Sequence, residues 1–141
     1  MIGKTFVFAG NAQFIVESPK GETLTLKIQK AQKPFVARNG KVYPPAFFLR
    51  TRHNNGEWTL IGRVDEQTCA ITPTKNPNLP PPDDRIVGVA KWAIETAVYE
   101  KPLPEGYRLA HVGKCGRCGM TLTDAESIAR GIGPECFKKV P

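Results

Sequence analysis

Cys115-Gly116-Arg117-Cys118-Gly119 is the segment that most restricts how this chain folds. Two cysteines separated by two residues can bind one ion across a tight turn. The glycines let the backbone curl so that N–H groups face the sulfurs. A third cysteine follows in Gly131-Ile132-Gly133-Pro134-Glu135-Cys136. Pro134 suits the first position of a short helix, which puts Cys136 in its first turn, where the helix dipole favours a thiolate. Between them, Thr123-Asp124-Ala125-Glu126 reads as a capping box that opens a short helix through Arg130, with Gly131 as its left-handed C-terminal cap. Together these features predict a treble-clef or zinc-ribbon tail built around Zn2+.

A closed structural zinc site takes four ligands, and this tail offers Cys115, Cys118 and Cys136. His111, four residues before Cys115, is the first choice for the fourth. Cys69 folding back from the first half is an alternative, as is Asp124, although helix capping already explains Asp124. His53 is a remote one. A redox reading of Cys-x-x-Cys needs a βαβ context that this chain lacks. Disulfides suit a secreted protein, and the N-terminus shows no apolar signal-peptide core, so a cytoplasmic location is expected.

Residues 115–136 resemble a small domain of unknown function found in many bacteriophage and some bacterial proteins. Its pattern is a Cys-x-x-Cys-Gly knuckle, a Leu-Thr-Asp/Asn-x-x-Ser step and Gly-Ile-Gly-Pro-x-Cys. Cys115, Cys118, Leu122, Thr123, Asp124, Ser127, Gly131, Ile132, Gly133, Pro134 and Cys136 match it, and Ala125 stands where proline is common. The resemblance implies a zinc-binding tail on a phage-type protein, located in the host cytoplasm, with no established activity.

The rest of the chain is ordinary in hydropathy and unusual in charge. With 141 residues and 40% hydrophobic content, it has material for one modest core. It contains no apolar run long enough to span a membrane. The formal net charge is +7, and residues 1–75 carry 11 Lys and Arg against 5 Asp and Glu. A basic small protein points to nucleic acid or another polyanion, although such a charge also serves solubility.

Three regions are expected: a basic antiparallel β domain over 1–72, a Pro-rich connector over 73–85, and a helix plus zinc-binding tail over 86–141. The fold class is α+β: a small antiparallel meander of five or six strands, or a partly open barrel, with one helix and the C-terminal knuckle. Phe6-Val7-Phe8 and Phe14-Ile15-Val16 read as strands. Ser18-Pro19-Lys20-Gly21 reads as a turn, and Leu24, Leu26 and Ile28 share one face of the next strand. Arg38-Asn39-Gly40-Lys41 and the segment through Asn55-Gly56 read as hairpin turns. The second turn pairs Arg52 with Thr59, Arg50 with Ile61 and Phe48 with Arg63. Phe48, Arg50, Arg52, Thr59, Ile61 and Arg63 then share one face, while Phe47, Leu49, Thr51, Trp58, Leu60 and Val64 face the core. Asp83 and Asp84 open a helix from Ile86 to about Glu100.

The mixture of arginines and an aromatic ring on the first face suits phosphates and stacked bases. It suits equally a solvated sheet face on which arginine stems cover Phe48 and Ile61. Nucleic acid is the expected partner, contacted by Phe48, Arg50, Arg52, Arg63, Lys114, Arg117, Lys138 and Lys139. The alternative is a module that binds and inhibits a host enzyme or defence complex, with Trp58, Phe48 and arginines as anchors. The sequence holds no nucleophile elbow, phosphate loop, His-Glu-x-x-His or two-metal carboxylate cluster, so no catalytic residue is assigned.

Overall fold

Alternation of apolar and polar residues dominates positions 11–30, and it folds as two long strands, β1 (Asn11–Glu17) and β2 (Thr23–Lys30). The computed structural model describes residues 2–54, 56–75, 77–78 and 81–140. The Ser18–Gly21 turn joins β1 to β2, with the Gly21 N–H donating to the Ser18 carbonyl at 2.9 Å. Ala12, Phe14 and Val16 lie opposite Ile28, Leu26 and Leu24, and all six are buried on one face. A small two-stranded ribbon follows, β3 (Phe35–Val36) and β4 (Val42–Tyr43), turning at Asn39-Gly40 as expected. The main sheet resumes with β5 (Phe47–His53), β6 (Thr59–Val64) and β7 (Ile71–Pro73). β8 (Arg108–His111) joins its far edge. The order is β7-β6-β5-β2-β1-β8, every pairing antiparallel, and β7 and β8 lie at its two ends.

The described residues hold four helical segments: the expected helix, the two short ones expected in the tail, and one that replaces an expected strand. Phe6 and Val7 belong not to a strand but to α1 (Lys4–Val7), a single turn that buries both side chains. α1 packs on α2 (Asp84–Val98), an apolar surface that a strand ending at the Gly10 turn does not reach. Asp83 caps α2, its side chain accepting from the Arg85 N–H at 2.8 Å. Ala90, Ala93, Ile94 and Ala97 of α2 are buried. With α1 and the inner sheet face they close one core around Phe14, Leu26, Ile28, Leu49 and Ile61. The tail adds α3 (Ala125–Arg130) and α4 (Pro134–Phe137). The treble-clef comparison is loose, because the knuckle is followed by short turns of helix rather than one long one. No described helix is long and apolar enough to cross a membrane.

The β5–β6 pairing departs from the expected register. Phe48 does face Arg63, but a bulge between Leu49 and Arg50 puts Arg50 opposite Leu60 and Thr51 opposite Thr59. One extra residue on β6 reverses the facing of Leu60 and Ile61, while Arg63 and Val64 keep theirs. Ile61 is therefore in the core and Leu60 is exposed, the opposite of the expectation. Trp58 also leaves the core side, since the Lys27 ammonium lies 4.8 Å over its ring. Asn55 of the expected Asn55-Gly56 loop lies outside the described residues.

Candidate metal centre and basic sheet face

The tail folds back on itself through backbone bonds before any ion is considered. The Gly119 N–H donates to the Cys115 carbonyl at 2.9 Å, and the Cys115 N–H to the Met120 carbonyl at 2.8 Å, which closes the knuckle turn. Asp124 caps α3, accepting from the Ser127 N–H at 2.9 Å. The cap falls one residue after Thr123, where the capping-box reading put it, and Glu126 pairs instead with Arg130 at 3.0 Å. The bond from Ser127 holds the Asp124 carboxyl below its ordinary value of 3.8. Gly131 ends α3 with φ +76°, a conformation that costs any other residue. Its carbonyl accepts from the Gly116 N–H at 2.8 Å, which brings the end of α3 against the knuckle. Pro134 then starts α4 and carries Cys136 around to the same point.

The sulfurs of Cys115, Cys118 and Cys136 consequently lie within 4.8 Å of one another, a group that can hold a metal ion. Cys115 is buried, Cys136 half-buried and Cys118 exposed. Burial alone pushes the Cys115 thiol up. Backbone N–H groups of Cys118, Gly133 and Arg117, with help from the Cys118 thiol, outweigh it and bring the pKa down from 9.0 to about 7. The Gly133 and Arg117 N–H groups lie 3.3 and 3.4 Å from this sulfur. Cys118 moves the other way. The Met120 N–H lowers it, but desolvation and the neighbouring sulfurs of Cys115 and Cys136 leave it raised. Arg117 Nη1 stands 3.7 Å from the Cys136 sulfur, a cation facing the group.

His111 does not complete this site. Its Nδ1 accepts from the Gly113 N–H at 2.9 Å, which leaves the proton on Nε2 for the Ile128 carbonyl. With both nitrogens engaged, the ring fastens β8 to α3 and offers no lone pair to an ion. Among the described residues no fourth cysteine, histidine or carboxylate joins the three sulfurs. Cys69 is buried in the sheet core, where burial raises its thiol. Asp124 is held in its cap, and His53 ends β5.

Phe6 connects the centre to the body, a link that no local pattern in the chain signals. A side chain at Gly116 or at Gly131 would put its Cβ 2.7 Å from the Phe6 ring, so both positions exclude one. Phe6 also contacts the His111 ring, centroids 5.7 Å apart, and Phe14 at 6.4 Å. The tail therefore rests on a ring that belongs to the core.

The outer sheet face carries the charge. Thr25, Lys27 and Gln29 of β2 lie opposite Arg52, Arg50 and Phe48 of β5. Arg63 lies on this side opposite Phe48 as expected, and the bulge adds Leu60. Arg50 donates to Gln29 Oε1 at 3.0 Å, and Gln29 to Asn11 Oδ1 at 3.3 Å, a polar chain across three strands. Arg52 Nε is buried and has no acceptor among the described residues. Lys27, not singled out from the sequence, and Trp58, expected on the core side, both belong to this face. The alternation of Leu24, Leu26 and Ile28 already required Lys27 to point outward. The ion pairs among the described residues fall between Asp83 and Lys138, so these cations have no carboxylate partner there. Of the tail cations, Lys138 is paired with Glu135 at 3.8 Å, while Lys114 bridges Thr121 through its backbone. Lys139 is exposed, its N–H donating to the Cys136 carbonyl.

Residues 110–141 match a family of unknown function, DUF6011. No curated protein and no solved structure matches the chain.

Proposed function

We propose that this chain is a zinc-stapled nucleic-acid-binding protein from a phage-type genome, acting as a binder rather than a catalyst. The observation that carries the reading is the outer sheet face. Among the described residues, Lys27, Arg50, Arg52 and Arg63 stand there without carboxylate partners, beside Phe48 and Trp58. Cations that are not neutralised by their own protein suit phosphates, and rings among them suit bases. The three clustered thiols are soft ligands at a spacing that suits Zn2+, and a fourth ligand would complete the site. The metal's role is to fold the tail, which adds Arg117 and Lys139 to the basic surface.

The test is a fluorescence-anisotropy titration of the metal-loaded protein with labelled 20-nucleotide single strands and duplexes. Binding is expected at 50 mM salt and is expected to weaken steeply at 200 mM, as counterion release requires. Replacing both Arg50 and Arg52 by Ala is expected to flatten that dependence by about 1.4 in the log–log slope on single strands, about 0.7 per lost phosphate contact. Absence of binding at 50 mM salt would overturn the reading and favour a host protein as the partner.

A further inference from the structure

The ribbon between β2 and β5 spends no apolar side chain on the core. Phe35, Val36, Val42 and Tyr43 are 65, 60, 60 and 43% exposed. An isolated pair of two-residue strands gains little stability from its own contacts, and clustered exposed apolar groups mark an interaction site. Phe35 lies opposite Tyr43, and Val36 opposite Val42, so the ribbon has an aromatic side and an aliphatic side. The two rings are 6.2 Å apart.

Charge selects the occupant. From Thr23 to Gly56 the chain has seven Lys and Arg and no Asp or Glu, with Lys33, Arg38 and Lys41 on the ribbon and its tip. The Lys41 ammonium lies 5.1 Å over the Tyr43 ring. A partner that is anionic and also presents flat apolar surfaces fits this combination. Nucleic acid meets both conditions, and its base faces are available when strands are unpaired. Pro34 and Pro44 flank the strands. They fix φ and remove N–H donors, which stiffens the ribbon and discourages strand pairing with another chain.

The ribbon also starts where the basic face ends. It extends the β2–β5 pair, whose last rung is the Ala31 N–H to the Ala46 carbonyl at 2.8 Å. At that end the Lys30 N–H donates to the Gly10 carbonyl, and the next residue, Asn11, donates to the Gly116 carbonyl of the knuckle at 2.7 Å. Ribbon root, basic face and metal centre thus meet at one end of the sheet.

We propose that residues 31–46 are an arm that grips single-stranded nucleic acid, stacking unpaired bases on Phe35 and Tyr43 while Lys33, Arg38 and Lys41 neutralise the adjoining phosphates. The proposal rests on the nucleic-acid reading above and adds to it the strandedness and a second contact. The test uses the full-length, metal-loaded protein with a 20-nucleotide oligothymidine and a duplex of equal length. The wild type is expected to prefer the single strand. Phe35→Ala with Tyr43→Ala is expected to weaken it about tenfold or more, with duplex affinity and melting temperature unchanged. Phe35→Leu with Tyr43→Leu, which keeps apolar bulk without a π face, is expected to lose affinity similarly. Replacing Lys33, Arg38 and Lys41 by Ala is expected to lower the log–log salt slope by about 2.

If the wild type binds and the ring variants bind equally well, the arm is wrong and the sheet face stands. Retained affinity in the leucine variant overturns stacking. Equal loss on duplex and single strand overturns the assigned strandedness. If the wild type binds neither probe, the underlying reading fails, and the arm with it.

Discussion

The sheet and the tail are held together by different forces. The sheet buries Phe14, Leu26, Ile28, Leu49 and Ile61 against α1 and α2, so apolar burial sustains it. Within 112–140 the buried residues are Cys115, Gly116, Ser127, Gly131 and Ile132, while Met120, Ile128 and Phe137 are exposed. Such a segment has too little apolar burial to offset its conformational entropy, and an ion held by the three clustered sulfurs would supply what is missing. On the proposed reading, stability resides in the body and a metal-dependent order in the tail.

Removing the ion is the most severe challenge to that division. Binding to thiolates in small zinc domains is worth on the order of 10 kcal/mol, and that free energy is the folding free energy of the segment. Chelation, or Cys115→Ser, is therefore expected to collapse the amide dispersion of residues 112–140 in a heteronuclear NMR spectrum while β1, β2, β5 and β6 keep theirs. Metal analysis of the purified protein should give close to one equivalent. A sheet that unfolds together with the tail would show that the two regions are one cooperative unit.

Phe6 is where the two regions meet, so its removal should blur the distinction. The ring is buried against the core and fills the space that Gly116 and Gly131 leave open. Phe6→Ala is expected to cost about 3–5 kcal/mol, the usual range for a buried aromatic. Thermal melting of the body and resistance of the metal to a competing chelator should both fall. A drop in melting alone would mean that the tail does not depend on this support.

These two regions were also unequally legible in the sequence. The tail was readable residue by residue because its devices are local: Cys-x-x-Cys, a left-handed cap at Gly131, and Pro134 at a helix start. What escaped was the role of His111, because nothing in its spacing from Cys115 reveals that Gly113 and Ile128 already occupy its ring nitrogens. The sheet was readable as alternation, so the inward face of β2 and the turn at Ser18–Gly21 follow directly. One bulge at Leu49/Arg50 was enough to exchange Ile61 with Leu60, since a period of two carries any single-residue slip along the strand. Phe6-Val7-Phe8 looked like a strand because its partner, α2, is some eighty positions away. Local propensity does not reveal such a tertiary partner.

The finest test places the same loss in both regions. Asp83 caps α2 and Asp124 caps α3, each with one side-chain bond to a helix N–H. Asp83→Ala removes a cap from a helix packed on the core and is expected to lower global stability by about 1 kcal/mol with metal affinity unchanged. Asp124→Ala removes a cap from six residues that lie between Cys118 and Cys136, two of the three clustered cysteines. Its effect is expected in chelator competition, with the melting of the sheet unmoved. Because the folded-state carboxyl of Asp124 titrates below its unfolded value of 3.8, its contribution is complete above that pH and disappears only as pH falls through the lower value. At neutral pH, Asp124→Asn, which retains an oxygen acceptor but not the charge, should therefore fall between wild type and Asp124→Ala in the same competition. If both alanine variants shifted only the melting temperature, the ion would not be what orders α3.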